Sequence, residues 1–299
     1  MLKLPLPDRF VHHRKLIAEI TDAGVTPPPR WTELNDRLDG YLSLPATAAQ
    51  RLADAVIAPT KNTDVPLLRA IALAEQSATP DRVAAVNRVV IDAIEQQMLD
   101  AYAPVALKNY RTLADAFDAL AGEFTALVNV VDCEADPRDM MAASEEQRQA
   151  WISAELKAAA LDGALPPLAA AAQLAGIRLD APNRHAPGWW HSPLSTGALI
   201  ALAVHTDGLH RRRVWEAWKS TGRCGRWTAL VALGAHIGAA ALRDFEPYRE
   251  PRPLIYRQQQ VPGAPRGDIE NIVIDPEDDD YREPVEPMDP VIRPSGVFV

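Results

Sequence analysis

The chain has 299 residues, a formal net charge of -9 and a 47% hydrophobic fraction in which Ala, Leu and Val outweigh the aromatics. That length accommodates one large helical domain or two smaller ones with appendages, and the composition excludes a chain disordered throughout while favouring helices packed through small side chains. The two cysteines, Cys133 and Cys224, lie far apart without CxxC spacing, which argues against a disulfide scaffold and a structural zinc site and fits a reducing compartment.

The opening MLKLPLPDRF alternates leucine with Lys and Pro and lacks the apolar stretch of a secretory signal, so it is expected to be an extended, strand-like tail. A first helix is predicted from Asp8 to residue 23, stopped by the TPPPR stretch, and a second from Trp31 to Leu42. Two further helices are predicted over Ala48 to Ala58 and Val65 to Gln76, divided by the polar PTKNTD turn.

Thr79 as N-cap and Pro80 at the first helical position open the strongest periodic signal, which runs to about Val131 with a kink or a break into two stacked helices at Pro104. Within it Tyr110, Leu113, Phe117, Leu120, Phe124, Leu127 and Val131 recur at steps of three and four, the spacing of a single buried helix face. Past the polar CEADPRD loop, Ser144 and Gln147 make a capping box for a helix through Trp151 to Leu161, and one more Ala-rich helix is expected to end near Gly176. The carboxylates Asp132, Glu134, Asp136 and Asp139, with Arg138 among them, suit helix capping better than acid and base catalysis.

The fold class expected is therefore mainly α. Residues 1–44 form an extended segment and docking helices, 45–180 a helical bundle containing the long kinked helix, and 181–243 a second small helical unit behind the linker APNRHAPGWWHSP. Residues 244–299 form an extended Pro-rich acidic arm, with 10 of the 26 prolines and with 13 acidic against 6 basic side chains, seven of the nine net negative charges. Such a segment cannot build a packed core of its own.

The arm carries three apolar clips, Leu254-Ile255-Tyr256, Ile272-Val273-Ile274 and Val297-Phe298-Val299, whose residue types suit strands. They are expected either to add strands to a neighbour's sheet edge or fill its apolar grooves, or to fold back on the chain's own body. Residues 184–226 hold seven basic and two acidic side chains, with Arg211, Arg212 and Arg213 in a row and Trp189, Trp190, Trp215, Trp218 and Trp227 within or beside them. Three partners fit basic residues interleaved with indoles: nucleic acid, a membrane surface, or an acidic protein segment such as the arm of the same or an adjacent copy. A solvated basic face over core tryptophans accounts for the same pattern without a partner.

His185, His191, His205, His210 and His236 fall in the second unit with Asp207, Glu216 and Cys224, so His205, His210 and Cys224 are the metal candidates, although no pair has ligand spacing on one helix. An enzyme or regulator would have its site among them, with the arm as a strap. Gly234 and Gly238 make a GxxxG expected to bring two helices together. The uncharged run Trp227 to Leu242, 16 residues with His236 inside, is short of the roughly 20 that cross a bilayer. A membrane-inserting hairpin of Leu194–Val204 and Thr228–Leu242 competes there with two buried core helices. Nucleotide-binding, nucleophile-elbow and EF-hand patterns are absent from the sequence.

High alanine, Arg in excess of Lys, and arms at both ends of a helical body, MLKLPLPDRF at one and REPRPLIYRQQQVPGAPRG with DPVIRPSGVFV at the other, resemble structural proteins of tailed phages of high-GC actinobacteria, the minor tail or head-to-tail components. The resemblance implies a non-enzymatic virion subunit without cofactors, assembled in the bacterial cytoplasm, whose partners are other copies of itself and neighbouring structural subunits.

Overall fold

A computed structural model describes residues 7–43, 65–76, 80–179, 194–260 and 269–278. The expected N-terminal tail, the helix over Ala48 to Ala58, the Thr79 cap, the linker at 181–193 and the clip Val297 to Val299 lie outside them. The described chain is mainly α-helical.

Helix α1 (Asp8–Asp22) buries Phe10, His13, Ile17 and Ile20, and α2 (Pro29–Leu42) buries Trp31, Leu34 and Leu38, each set at helical steps of three and four. Gly24, at a φ of 91°, closes α1, its N–H bonding to the Thr21 carbonyl and that of Val25 to the Ile20 carbonyl. Pro29 then opens α2, where a missing N–H costs nothing. α3 spans Val65–Gln76.

The spine is α4 (Pro80–Val128), 49 residues in one continuous helix through Pro104 and about 73 Å long at 1.5 Å per residue. Its predicted seam faces the core: Tyr110, Leu113, Phe117 and Phe124 are buried, with Leu120 and Leu127 packed beside them, while Val131, also buried, falls three residues past the end of the helix that was expected to reach it. After the short α5 (Pro137–Met140), capped by the Asp136 side chain, α6 (Glu145–Leu174) folds back along α4. The Ser144–Gln147 capping box is formed.

Two expected helices are here a single one of 30 residues, which passes through Pro166 and Pro167. A proline inside a helix forfeits one ladder bond. Burial offsets that loss: Ala150, Ala154, Ala158, Leu161, Leu165 and Leu168 make a seam against α4, and Pro167 to Ala172 are buried without interruption. The alanines allow this close approach, as α1 lies against α6 and α2 against α4.

The second unit comprises α7 (Thr196–Ala203), β1 (Val204–His205), α8 (Arg211–Trp218), α9 (Gly225–Ala232) and β2 (His236–Ile237), with β1 and β2 antiparallel. It shares the bundle's core. Trp227 is fully buried, edge-on to Phe117 of α4 and to Trp218, while Tyr110 donates to the Ala240 carbonyl at 2.6 Å. The GxxxG is not a helix-packing device, and the expected helix over Thr228 to Leu242 stops at Ala232. Gly234 adopts a φ of 82° and closes α9 through Gly234 N–H to Val231 O and Ala235 N–H to Leu230 O, so Gly238 falls beyond it, next to β2. Among the described residues no helix is long and apolar enough to cross a membrane.

Two of the apolar clips pair with each other. Strands β3 (Ile255–Gln260) and β4 (Ile269–Ile274) form an antiparallel ribbon with Ile255 opposite Ile274 and Tyr256 opposite Val273.

Where α1 meets α2, Trp31 Nε1 donates to His13 Nε2 at 3.2 Å, which requires that nitrogen to be unprotonated. Burial, reinforced by Arg9 and His12, holds the His13 pKa down at about 4. The unfolded chain takes up this proton near 6.5, so the contribution is complete above that pH and disappears as pH falls towards 4, in all about 3 kcal/mol. Chemical denaturation between pH 7 and pH 4.5 should therefore show a steeper loss of stability in the wild type than in His13→Gln, which keeps an acceptor for Trp31 without titrating.

Candidate functional site: a basic helix end clasped by the acidic arm

Helix α8 begins with three arginines, and a helix N-terminus already carries a partial positive charge from its unpaired N–H groups. Left alone, Arg211 and Arg212 would be destabilising there. The segment after β4 supplies the opposite sign. Arg212 holds Asp275 with Nε and Nη2, the latter 2.8 Å from Asp275 Oδ1, and Arg211 Nη1 pairs with Glu277. His210, the N-cap residue, places Nε2 3.0 Å from Asp278 Oδ1 and 3.9 Å from Asp275 Oδ2.

The local turn explains why these carboxylates converge. Asp275 precedes proline and accepts the Glu277 N–H at 3.0 Å, so the chain bends and presents three acidic side chains within four residues. The second Glu277 oxygen accepts the Arg252 N–H at 3.0 Å, and the Arg252 carbonyl accepts from Arg212 Nη2. Both crossings of the arm, residues 252 and 275–277, are thereby tied to one guanidinium pair. The side chains of Asp275 and Glu277 are only 15% and 7% exposed, which separates this cluster from solvent-screened surface pairs. Arg212, through its hydrogen bonds above all, holds the Asp275 carboxyl down at about 2.

Further along, Trp215 Nε1 donates to the Arg249 carbonyl at 2.9 Å and Tyr248 N–H to the Gly197 carbonyl at 2.9 Å. The Tyr248 carbonyl lies so close over Gly197 that a side chain there has no room. Residues 245–254 are therefore fastened along α7 and α8 before the ribbon begins.

The other predicted site residues fall in separate places. Arg213 is exposed, with no ion pair among the described residues. Trp218 is a core residue beneath the Arg226 guanidinium, 4.7 Å from its ring, and Arg223 stacks 3.4 Å over Trp151 of α6. Much of the basic and aromatic interleaving is thus spent within the chain. Leu254, Ile255 and Ile274 are half-buried, whereas Tyr256 and Val273 are exposed; Ile272 belongs to β4.

The metal candidates are not brought together. Cys224 is buried beside the Cys133 carbonyl, and burial raises its thiol and pushes that of Cys133 up to about 11, away from the thiolate a metal needs. His205 instead faces His236. His210, Asp275 and Asp278 do offer ligand atoms within 4.8 Å of one another. Arg212 already occupies both Asp275 oxygens, however, so a dication there would have to displace its guanidinium, and Arg211 sits beside it on Glu277.

One of the four carboxylates expected to cap helices has an organising role across the chain instead. Glu134, between the bundle helices, accepts the N–H groups of Arg223 and Cys224 at 2.6 and 2.8 Å, and its carboxylate fills the space a side chain on Gly222 would need. In the sequence it is one of four carboxylates in a polar loop, and only Gly222, far away in the chain, hints at the close approach.

The clasp's pH response follows from Asp275. Its folded pKa is depressed, so its contribution is complete above the ordinary carboxyl value near 3.8 and disappears as pH falls towards 2. Charge-assisted hydrogen bonds contribute about 1.5 to 3 kcal/mol each. Arg212→Ala should accelerate amide hydrogen exchange in β3 and β4 by tenfold or more at neutral pH, leaving α6 unchanged; equal rates would show that the arginine does not hold the ribbon. No family model matches the chain, and no curated protein or solved structure matches it at a significant level.

Proposed function

We propose that this chain is a non-enzymatic assembly subunit of a large complex, in which the helical body docks first and the clasped arm presents strand-forming surface to other copies or to neighbouring subunits. The resemblance of its ends to tailed-phage structural proteins makes the complex a virion, with this chain as a minor tail or head-to-tail component.

The observation that carries this reading is the ribbon. A lone two-stranded ribbon is marginal in water, and its two outer edges hold rows of unpaired backbone donors and acceptors. Here β3 and β4 have no third strand among the described residues. Their directly opposed Tyr256 and Val273 are 72% and 54% exposed, an apolar pair on an open sheet face. Strand addition by another chain satisfies the edge and buries the pair. The clasp fixes the ribbon beside α8, so a docked body holds it at high effective concentration against a neighbour.

Sedimentation of the purified full-length chain at micromolar to millimolar concentration should reveal species larger than the 32.7 kDa protomer. A chain lacking residues 250–299 should keep its helical circular dichroism and sediment as a protomer. Association that is identical with and without the arm would refute the role given to it.

A further inference from the structure

The short strand pair of the second unit sets two imidazoles side by side. In the β1–β2 ladder His205 stands directly opposite His236, with ring centroids 5.3 Å apart and planes inclined by 44°. Both side chains are exposed, whereas Gly238 beneath them is buried. A Cβ built on Gly238 would lie 3.1 Å from His236 Cε1, 3.2 Å from His205 Nε2 and 3.3 Å from His236 Nδ1, so the Nδ1–Cε1 edge of one ring and the Nε2 of the other border the same small space. The backbone under this space is tied down: Gly238 N–H bonds to Ala203 O at 3.0 Å and Ala239 N–H to Asp118 of α4 at 2.6 Å.

From this juxtaposition we propose that His205 and His236 chelate a divalent transition-metal ion of the Zn2+, Ni2+ and Cu2+ class, with water completing the coordination shell. Imidazole is a borderline donor that suits these ions and discriminates against Mg2+ and Ca2+, which require oxygen. Metal–nitrogen bonds of about 2.0–2.1 Å require the two nitrogens to approach each other on one side of the ladder, a rotation about side-chain bonds that exposed rings perform without disturbing the strands. A cross-strand pair is suited to this because the ladder fixes the Cα positions and only side-chain torsions adjust. The site is separate from the clasp and does not depend on the arm.

The test is calorimetric titration of Ni2+ into the full-length chain, beside His205→Ala, His236→Ala and the double variant, which subtract the background of the five other histidines. The wild type should bind one Ni2+ at least tenfold more tightly than either single variant, and each single variant should be as weak as the double. Binding unchanged in either single variant would overturn the proposal. Should a variant lose helicity, the wild type alone decides: one equivalent of Cu2+ should give an electron paramagnetic resonance spectrum with two coupled imidazole nitrogens. A spectrum with one nitrogen, or with none, would rule the pair out.

Discussion

The arrangement of the C-terminal half depends on one electrostatic constraint, the meeting of Arg211 and Arg212 with Asp275 and Glu277. Each side is unfavourable by itself. Consecutive arginines at the start of α8 oppose the helix dipole, and a proline-rich acidic strand has too little apolar surface to hold itself in place. Placed together, each supplies the counter-charge and hydrogen-bond partners the other lacks. Because removing one member would strand a shielded charge, the pairing ties the arm to this position.

The body has to present α8 rigidly for that pairing to form, and its packing explains how it does so. The α4–α6 seam buries an aromatic row against an alanine row, and Trp227 and Trp218 extend the same core into the second unit. Glu134 adds a polar tie by accepting two backbone N–H groups just ahead of α9, while Arg223 reaches back to stack on Trp151 and to donate to its carbonyl. The contacts run in a continuous chain from the bundle through α9 and α8 to the arm.

Much of this was legible in the sequence because it depends on local periodicity and capping. The seam from Tyr110 to Val131, the Ser144 capping box and the α2 start at the proline run are short-range signals, and the helices at the described positions follow them. The failures have physical causes too. Pro166 and Pro167 do not divide α6 because burial outweighs two lost ladder bonds, and Gly234 serves a left-handed turn rather than a close approach of helices. The clasp was legible only as an excess of opposite charges; which carboxylate meets which arginine is decided by a proline turn and a ribbon that bring together residues more than sixty apart in the chain. Glu134 and the His205–His236 pairing were invisible for the same reason, since both join residues that only the tertiary fold makes neighbours.

Fixed beside α8, the ribbon has no third strand among the described residues and carries the exposed pair Tyr256 and Val273, and the proposed assembly role stands on what covers them. The most direct measurement replaces Tyr256 with a photo-crosslinking phenylalanine derivative in the full-length chain and irradiates the concentrated protein. A cross-link to a second polypeptide, mapped to a strand or to the ribbon of another copy, is the result the account predicts. Cross-links confined to the same chain would contradict it.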